Sequence, residues 1–310
     1  MTYATTNGLS MTQYPVVAGD LVTRVLDCRN GDTTVVCLHG AGSRADRFWH
    51  NIAPVAAAGY RVIAMDFPGH GFATKGASVT HSTPAFADFV MQVLRSLDVR
   101  RPVIVGTSLG GHVAASIAAS DPDAVSAMVL IGAVGIVPAE PSDGPLTPVP
   151  MWDASPDAIR TKLRMVVANP ALITDEWVNE ESRINSSPGA RESLEAVAGY
   201  LRSGVDRDTV GDQLRERASN VPTLLVWGGE DRWVPPSVGF RTRDLLVRSE
   251  LVVMPGTGHA PYYEDPETFN RLLVDFLASN PVAGHEAAGH GPAGAEEESG
   301  RRGSHQRSSA

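Results

Sequence analysis

The chain has 310 residues, 43% of them hydrophobic and 20% charged, and 26 Lys and Arg stand against 35 Asp and Glu for a formal net charge of −9. That composition is an ordinary globular one and excludes a disulfide-stapled miniprotein, a collagen and a generally disordered chain. An acidic balance with no basic cluster in the body argues against nucleic acid or an anionic membrane as partner, and no uncharged apolar run is long enough for a spanning helix.

The first basic residue is Arg24, so the start carries no charged n-region of a secretory signal, and a cytoplasmic location is expected. Cys28 and Cys37 are the two cysteines, too few for a disulfide framework, and a reduced pair is the expectation.

Short apolar runs then alternate with amphipathic segments. Thr34–Leu38 (TVVCL) ends in His39-Gly40, and Arg61–Met65 (RVIAM) ends in Asp66. Residues 102–105 (PVIV) end in Gly106, and Ala127–Ile131 (AMVLI) ends in Gly132. Residues 223–227 (TLLVW) end in Gly228-Gly229, and 251–254 (LVVM) end in Pro255-Gly256. Runs apolar on both faces read as strands of a buried parallel sheet. Helical patterns lie at 83–97, Leu109–Ser120 and 266–277. The alternation predicts an α/β fold, a mostly parallel twisted sheet with helices on both faces, whose functional residues gather at the carboxyl ends of the strands.

Residues 133–220 break the pattern. A proline-rich stretch from Pro138 to Pro150 leads into helices with readable starts, Ser155 before Pro156 and Thr174 before Asp175-Glu176. The block reads as a helical insertion. It divides the chain into a core at 1–132 and 221–279, the insertion, and a tail at 280–310. The tail is rich in Gly, Ala, Ser and charge and is expected to be disordered. Its histidines 285, 290 and 305 read as polar tail residues, not a metal site.

Gly106-Thr107-Ser108-Leu109-Gly110 fits G-x-S-x-G and sits between a predicted strand and a predicted helix. A serine there occupies a strained turn with no room for side chains two residues to either side, and a helix N-terminus lies beneath it. Serine needs a base. His259, in the glycine-rich loop after the last strand, fits better than His50, His70 or His81, and His112 reads as helix packing. Asp231, just past the 223–227 strand, is the orienting carboxylate, with Glu230 as its rival. Backbone N–H groups of Ala41 and Leu109 are the candidate oxyanion donors. His39 and Asp66 read as loop organisers.

Together LHGAG, DFPGHG, GTSLGG, GGEDRWVP and GTGHAPYYEDP, in that order, resemble the α/β-hydrolase superfamily over residues 15–279. The resemblance implies a Ser108–His259–Asp231 triad, no metal or organic cofactor, and a cap formed by the 133–220 insertion. Within the superfamily, the cap and the C-terminal FNRLLVDFL look like the hydrolases that cut C–C bonds in meta-cleavage products. Those enzymes usually carry Gly-Pro-Gly where this chain has Gly42-Ser43-Arg44, Asn where it has Thr107, and Trp where it has Ala260. They use a cap arginine for the dienoate carboxylate, and Arg183 lies about two residues from that place. Gly40, Trp152 and Arg183 are the expected substrate contacts. The primary expectation is hydrolysis of a carboxylic ester or lactone of a small apolar substrate. The alternatives are C–C hydrolysis of 2-hydroxy-6-oxo-dienoates and a non-catalytic, ligand-binding version of the fold. The expected partners are a small-molecule substrate and, in a homodimer, a second copy of the chain.

Overall fold

The computed structural model describes residues 2–4, 8–145 and 149–281. The tail expected to be disordered lies, beyond residue 281, outside the described residues. Among the described residues nine strands form one sheet: β1 (Thr2–Ala4), β2 (Ser10–Ala18), β3 (Leu21–Cys28), β4 (Thr34–Leu38), β5 (Arg61–Met65), β6 (Val103–Thr107), β7 (Ala127–Ile131), β8 (Thr223–Gly228) and β9 (Glu250–Met254). Their order is β1-β2-β3-β5-β4-β6-β7-β8-β9. The six apolar runs are β4 to β9, all parallel. β4 to β7 are buried along their whole length, as both-faced apolar runs require.

The strands β1 to β3 form an antiparallel extension that the apolar runs do not announce. In β2 only Met11, Val16 and Ala18 are buried, so it carries no continuous hydrophobic run. Its readable mark is Gly19-Asp20, the two-residue turn that pairs Ala18 with Leu21, with Gly19 at φ 60°.

Along each central strand the side chains alternate between two cores. Val36, Leu38, Ile63 and Met65 face α2 (Thr83–Ser96) and α3 (Leu109–Ser120). Val35, Cys37, Val62 and Ala64 face α1 (Trp49–Ala57) and α10 (Pro266–Ser279). α1 carries Pro54 in its interior, which masks it as a helix in the sequence. Cys28 and Cys37 are free and buried, on β3 and β4 with β5 between them.

Between β7 and β8 run α4 (Pro156–Val166), α5 (Asp175–Asn185), α6 (Ala190–Ser203) and α7 (Gly211–Arg217). The Ser155 and Thr174 hydroxyls accept the N–H groups of Ala158 and Trp177, as the sequence leads one to expect of N-caps. Each such cap is worth about 1 kcal/mol. α4 and α5 share a small core of their own, built on Ile159, Leu163, Val167, Ile173, Trp177 and Val178. After β8 come α8 (Pro236–Leu245), β9 and the short α9 (Pro261–Glu264) that leads into α10. No described helix is long and apolar enough to cross a membrane.

Candidate active site

Ser108 follows β6 and precedes the first residue of α3, at φ 53° and ψ −117°. A non-glycine residue is strained there, and the surroundings must hold it. They do so by close backbone approach. A Cβ on Gly106 would lie 2.2 Å from the Gly110 carbonyl oxygen, and one on Gly110 would lie 2.3 Å from that of Leu38. Both neighbours are backbone, so neither glycine can be replaced without moving the turn. Ser108 N–H bonds to Ile131 O at 2.8 Å, which ties the bend to β7.

His259 sits in the loop between β9 and α9. Its Nδ1 lies 2.7 Å from Asp231 Oδ2. The other oxygen of Asp231 accepts the N–H groups of Trp233 and Val234, at 2.8 and 2.9 Å. A carboxylate accepts only, so Nδ1 carries the proton and Nε2 keeps its lone pair. The Trp233 ring lies nearly parallel to the imidazole, at 21° and 6.0 Å between centroids. Gly132, at φ 49°, backs this pair; a Cβ there would come within 3.1 Å of both Asp231 Oδ2 and His259 Nδ1. Glu230, the rival carboxylate, is exposed.

Ser108 and His259 line one cavity, partly open to solvent, together with Gly40, Ala41 and Gly42. The loop after β4 turns through a Ser43 N–H to Gly40 O bond, with Gly42 at φ 65°. Buried His39 anchors that loop. Its Nδ1–H donates to Gly40 O at 2.7 Å, and its Nε2 accepts the Phe67 N–H at 2.9 Å. Burial pushes its pKa down to about 4. With both nitrogens committed, His39 is no proton carrier. Asp66 accepts from Arg24, from Ala45 N–H and from Phe72 N–H. His112 bonds Thr83 and the Asp208 carbonyl. All three are structural, in agreement with the sequence reading.

Two expected substrate contacts are not brought to the cavity. Trp152 lies on the surface, 36% exposed, with the Arg191 guanidinium 4.4 Å over its ring. Arg183 borders a separate surface depression with Phe72 and Lys75. It follows Glu181 by two positions on α5, and two positions turn a helix by about 200°. Gly40 does border the cavity, against the Ser108 side chain.

In their place the cavity holds charged residues that motif reading misses. Lys162 on α4, Glu181 on α5 and Arg47 after β4 all line it. Lys162 Nζ donates to Gly42 O at 3.1 Å and lies 3.8 Å from Glu181. Arg47 pairs with Glu181 and lies 4.4 Å over the Trp177 ring. Arg44 pairs with Glu180 and Glu181. Burial alone would raise the Glu181 carboxyl, but Lys162, Arg47 and Arg44 together outweigh it and hold it well below the usual range. Lys162 shares that one carboxylate with two arginines, so burial dominates and lowers its pKa. A signal was available. Residues 159, 162, 163 and 166 form one i, i+3, i+4, i+7 stripe, and a lysine on an otherwise apolar helical stripe must meet a partner.

An elbow serine, a buried carboxylate–imidazole pair and a cavity they share, at the carboxyl ends of a parallel sheet, define a serine hydrolase of the α/β type. The chain belongs to the alpha/beta hydrolase family, whose model matches residues 35–272. It is 30% identical, over 84% of this chain and 92% of the relative, to the 2-hydroxy-6-oxononadienedioate/2-hydroxy-6-oxononatrienedioate hydrolase of Paraburkholderia xenovorans (strain LB400). Among solved structures it resembles a meta-cleavage product hydrolase from Pseudomonas fluorescens IP01, with TM-score 0.74 and 26% identity over 86% of this chain and 97% of that one. It also resembles a putative aryl esterase from Burkholderia cenocepacia, with TM-score 0.70 and 25% identity over 87% of this chain and 99% of that one.

Proposed function

We propose that this enzyme hydrolyses the bond beside a ketone carbonyl in a carboxylate-bearing substrate of the 2-hydroxy-6-oxo-dienoate kind. The observation that carries this reading is that one cavity is lined both by Ser108 and His259 and by the ammonium of Lys162 and the guanidinium of Arg47, beside Glu181. Relatives named for dienedioate substrates support it. It takes precedence over the simple ester expected from sequence.

In this scheme His259 Nε2 takes the Ser108 proton as Oγ attacks the carbonyl carbon, while the Ala41 and Leu109 N–H groups hold the oxyanion. The tetrahedral intermediate collapses by breaking its bond to the dienoate carbon. Before the attack the substrate's 2-hydroxyl ketonises, its proton passing to the carbon beside the 6-carbonyl, so that this carbon leaves with the electron pair delocalised through the remaining alkene into the 2-carbonyl, and the His259 proton completes the dienol. Water, deprotonated by His259, then releases the acyl group from Ser108. Asp231 holds the imidazole in one tautomer throughout. Residues 133–220 act as the cap, and Lys162 and Arg47 supply the counter-charge for the carboxylate.

Ester hydrolysis is the second reading. It uses the same residues, and the absence of Arg183 from the cavity favours it. A purified sample is mixed with a 2-hydroxy-6-oxo-dienoate and, separately, with p-nitrophenyl esters. Bleaching of the dienoate chromophore, abolished in Ser108→Ala, supports C–C hydrolysis. Rapid ester turnover with an inert dienoate supports the second reading, and full activity in folded Ser108→Ala rejects both.

A further inference from the structure

The loop that carries His259 is fastened to the cap, and the fastening is a half-buried carboxylate. Three contacts bind the segment leaving α4 to the base loop. His259 N–H donates to Val166 O at 2.7 Å. Gly258 N–H donates to Glu264 Oε1 at 2.8 Å, and Ala168 N–H donates to Glu264 Oε2 at 2.7 Å. The N–H groups of Ala260 and Asn169 also face the same carboxylate. One side chain therefore gathers donors from both sides of His259 and from the segment leaving α4 opposite. The two backbones are in direct contact: a Cβ on Gly258 would lie 2.7 Å from Val166 O and 2.8 Å from Ala168 N. α4 also supplies Lys162, Leu163 and Val166 to the cavity wall. Whatever displaces that wall is transmitted to the residue before the imidazole without a flexible link between.

We infer that Glu264 is a positioning residue which locks the register between cap helix α4 and the His259 loop, so that the imidazole is correctly placed only while this end of the cap stays docked. Glu264 does not reach the reacting atoms. It acts through the backbone of residues 258 and 260, and both of its oxygens are needed as acceptors. The consequence for the cap is directional: its α4 end is anchored to the catalytic machinery, and opening for substrate exchange takes place elsewhere along its rim. The inference rests on the reading of His259 as the base.

Glu264→Gln tests it, because an amide has nearly the same shape but presents one acceptor oxygen and one donor NH2 to two N–H groups. Turnover of p-nitrophenyl acetate is measured per site titrated to completion with a fluorophosphonate. The expectation is a fall in kcat of the order of 10- to 100-fold, as for a misplacement of about 1 Å, with KM changed less than about threefold. The phosphonylation rate should fall in parallel. Amide hydrogen exchange gives a readout independent of catalysis: protection at Gly258, His259 and Ala168 should be lost together, while the β6–β7 amides keep theirs. A purely structural role would lower the melting temperature yet leave kcat per titrated site unchanged, and that result overturns the inference, as does unchanged protection at residues 258 and 259. If Glu264→Gln does not fold, Glu264→Asp, one methylene too short to reach both donors, is read by the same two criteria. A parent protein that is never phosphonylated defeats the hydrolase reading instead, and amide exchange still decides the clasp.

Discussion

Acidification should destabilise this protein well before its carboxylates titrate, because several histidines are buried in neutral form. For His39 and His112 burial lowers the pKa from 6.5 to about 4. Between these values the unfolded chain binds more protons than the folded one, so stability rises with pH; it is fully present above about pH 6.5 and is lost as pH falls toward 4. At about pH 5 an unfolded imidazole is almost wholly protonated and a folded one about one-tenth so. Linkage then makes each residue responsible for a loss of about 2 kcal/mol relative to neutral pH, and the pair for about 4 kcal/mol. His70, also lowered by burial, adds to this. Glu264, raised by burial, opposes it over part of the window. For a domain of this size the loss corresponds to a fall in melting temperature on the order of 10 °C. Thermal and urea melts from about pH 7.5 to 5 read the slope, and His112→Gln isolates one contributor. Glutamine can still serve the Thr83 hydroxyl and the Asp208 carbonyl but does not titrate, so the stability gap between parent and variant should narrow by about 2 kcal/mol across the range. Parallel curves for the two proteins would refute the assignment of the slope to buried imidazoles.

Asp231→Asn should leave the fold intact but turn the imidazole to the wrong tautomer, lowering kcat by roughly 10⁴-fold; steady-state kinetics beside an unchanged circular dichroism spectrum checks this. Gly110→Ala drives a methyl toward the Leu38 carbonyl and should destabilise by at least about 2 kcal/mol, read from the urea midpoint; unchanged stability would mean that the elbow can relax. Lys162→Met removes one cation from the cavity and leaves Glu181 paired with both arginines. A charge-assisted hydrogen bond is worth about 1.5–3 kcal/mol, so KM for a carboxylated dienoate should rise about 10- to 100-fold, with a much smaller change for a neutral ester. Equal changes for both would show that Lys162 acts on the fold and not on charge recognition.

How far each feature could be read follows from the range of the physics behind it. β4 to β9, α3 and the N-caps of α4 and α5 rest on local signals, and the structure places them within two residues of the expected bounds. The antiparallel β1–β3 extension was illegible as apolar runs because β2 buries only Met11, Val16 and Ala18. α8, opening on Pro235-Pro236, and α1, with its internal proline, were hidden by residues that usually punctuate helices.

The site divides along the same line. The elbow, its flanking glycines and the chain order of Ser108, Asp231 and His259 are dictated by spacing, because a tight turn and a strand-end loop impose their requirements within a few residues. The residues facing the substrate are not. Lys162 reaches Gly42 across 120 positions, and Arg47 reaches Glu181 across 134. No local pattern encodes such a meeting, because it depends on how α4 and α5 lie against the loop after β4. Helical geometry completes the difference: Glu181 and Arg183 are two positions apart on α5, and the turn between them puts one inside the cavity and the other on the surface.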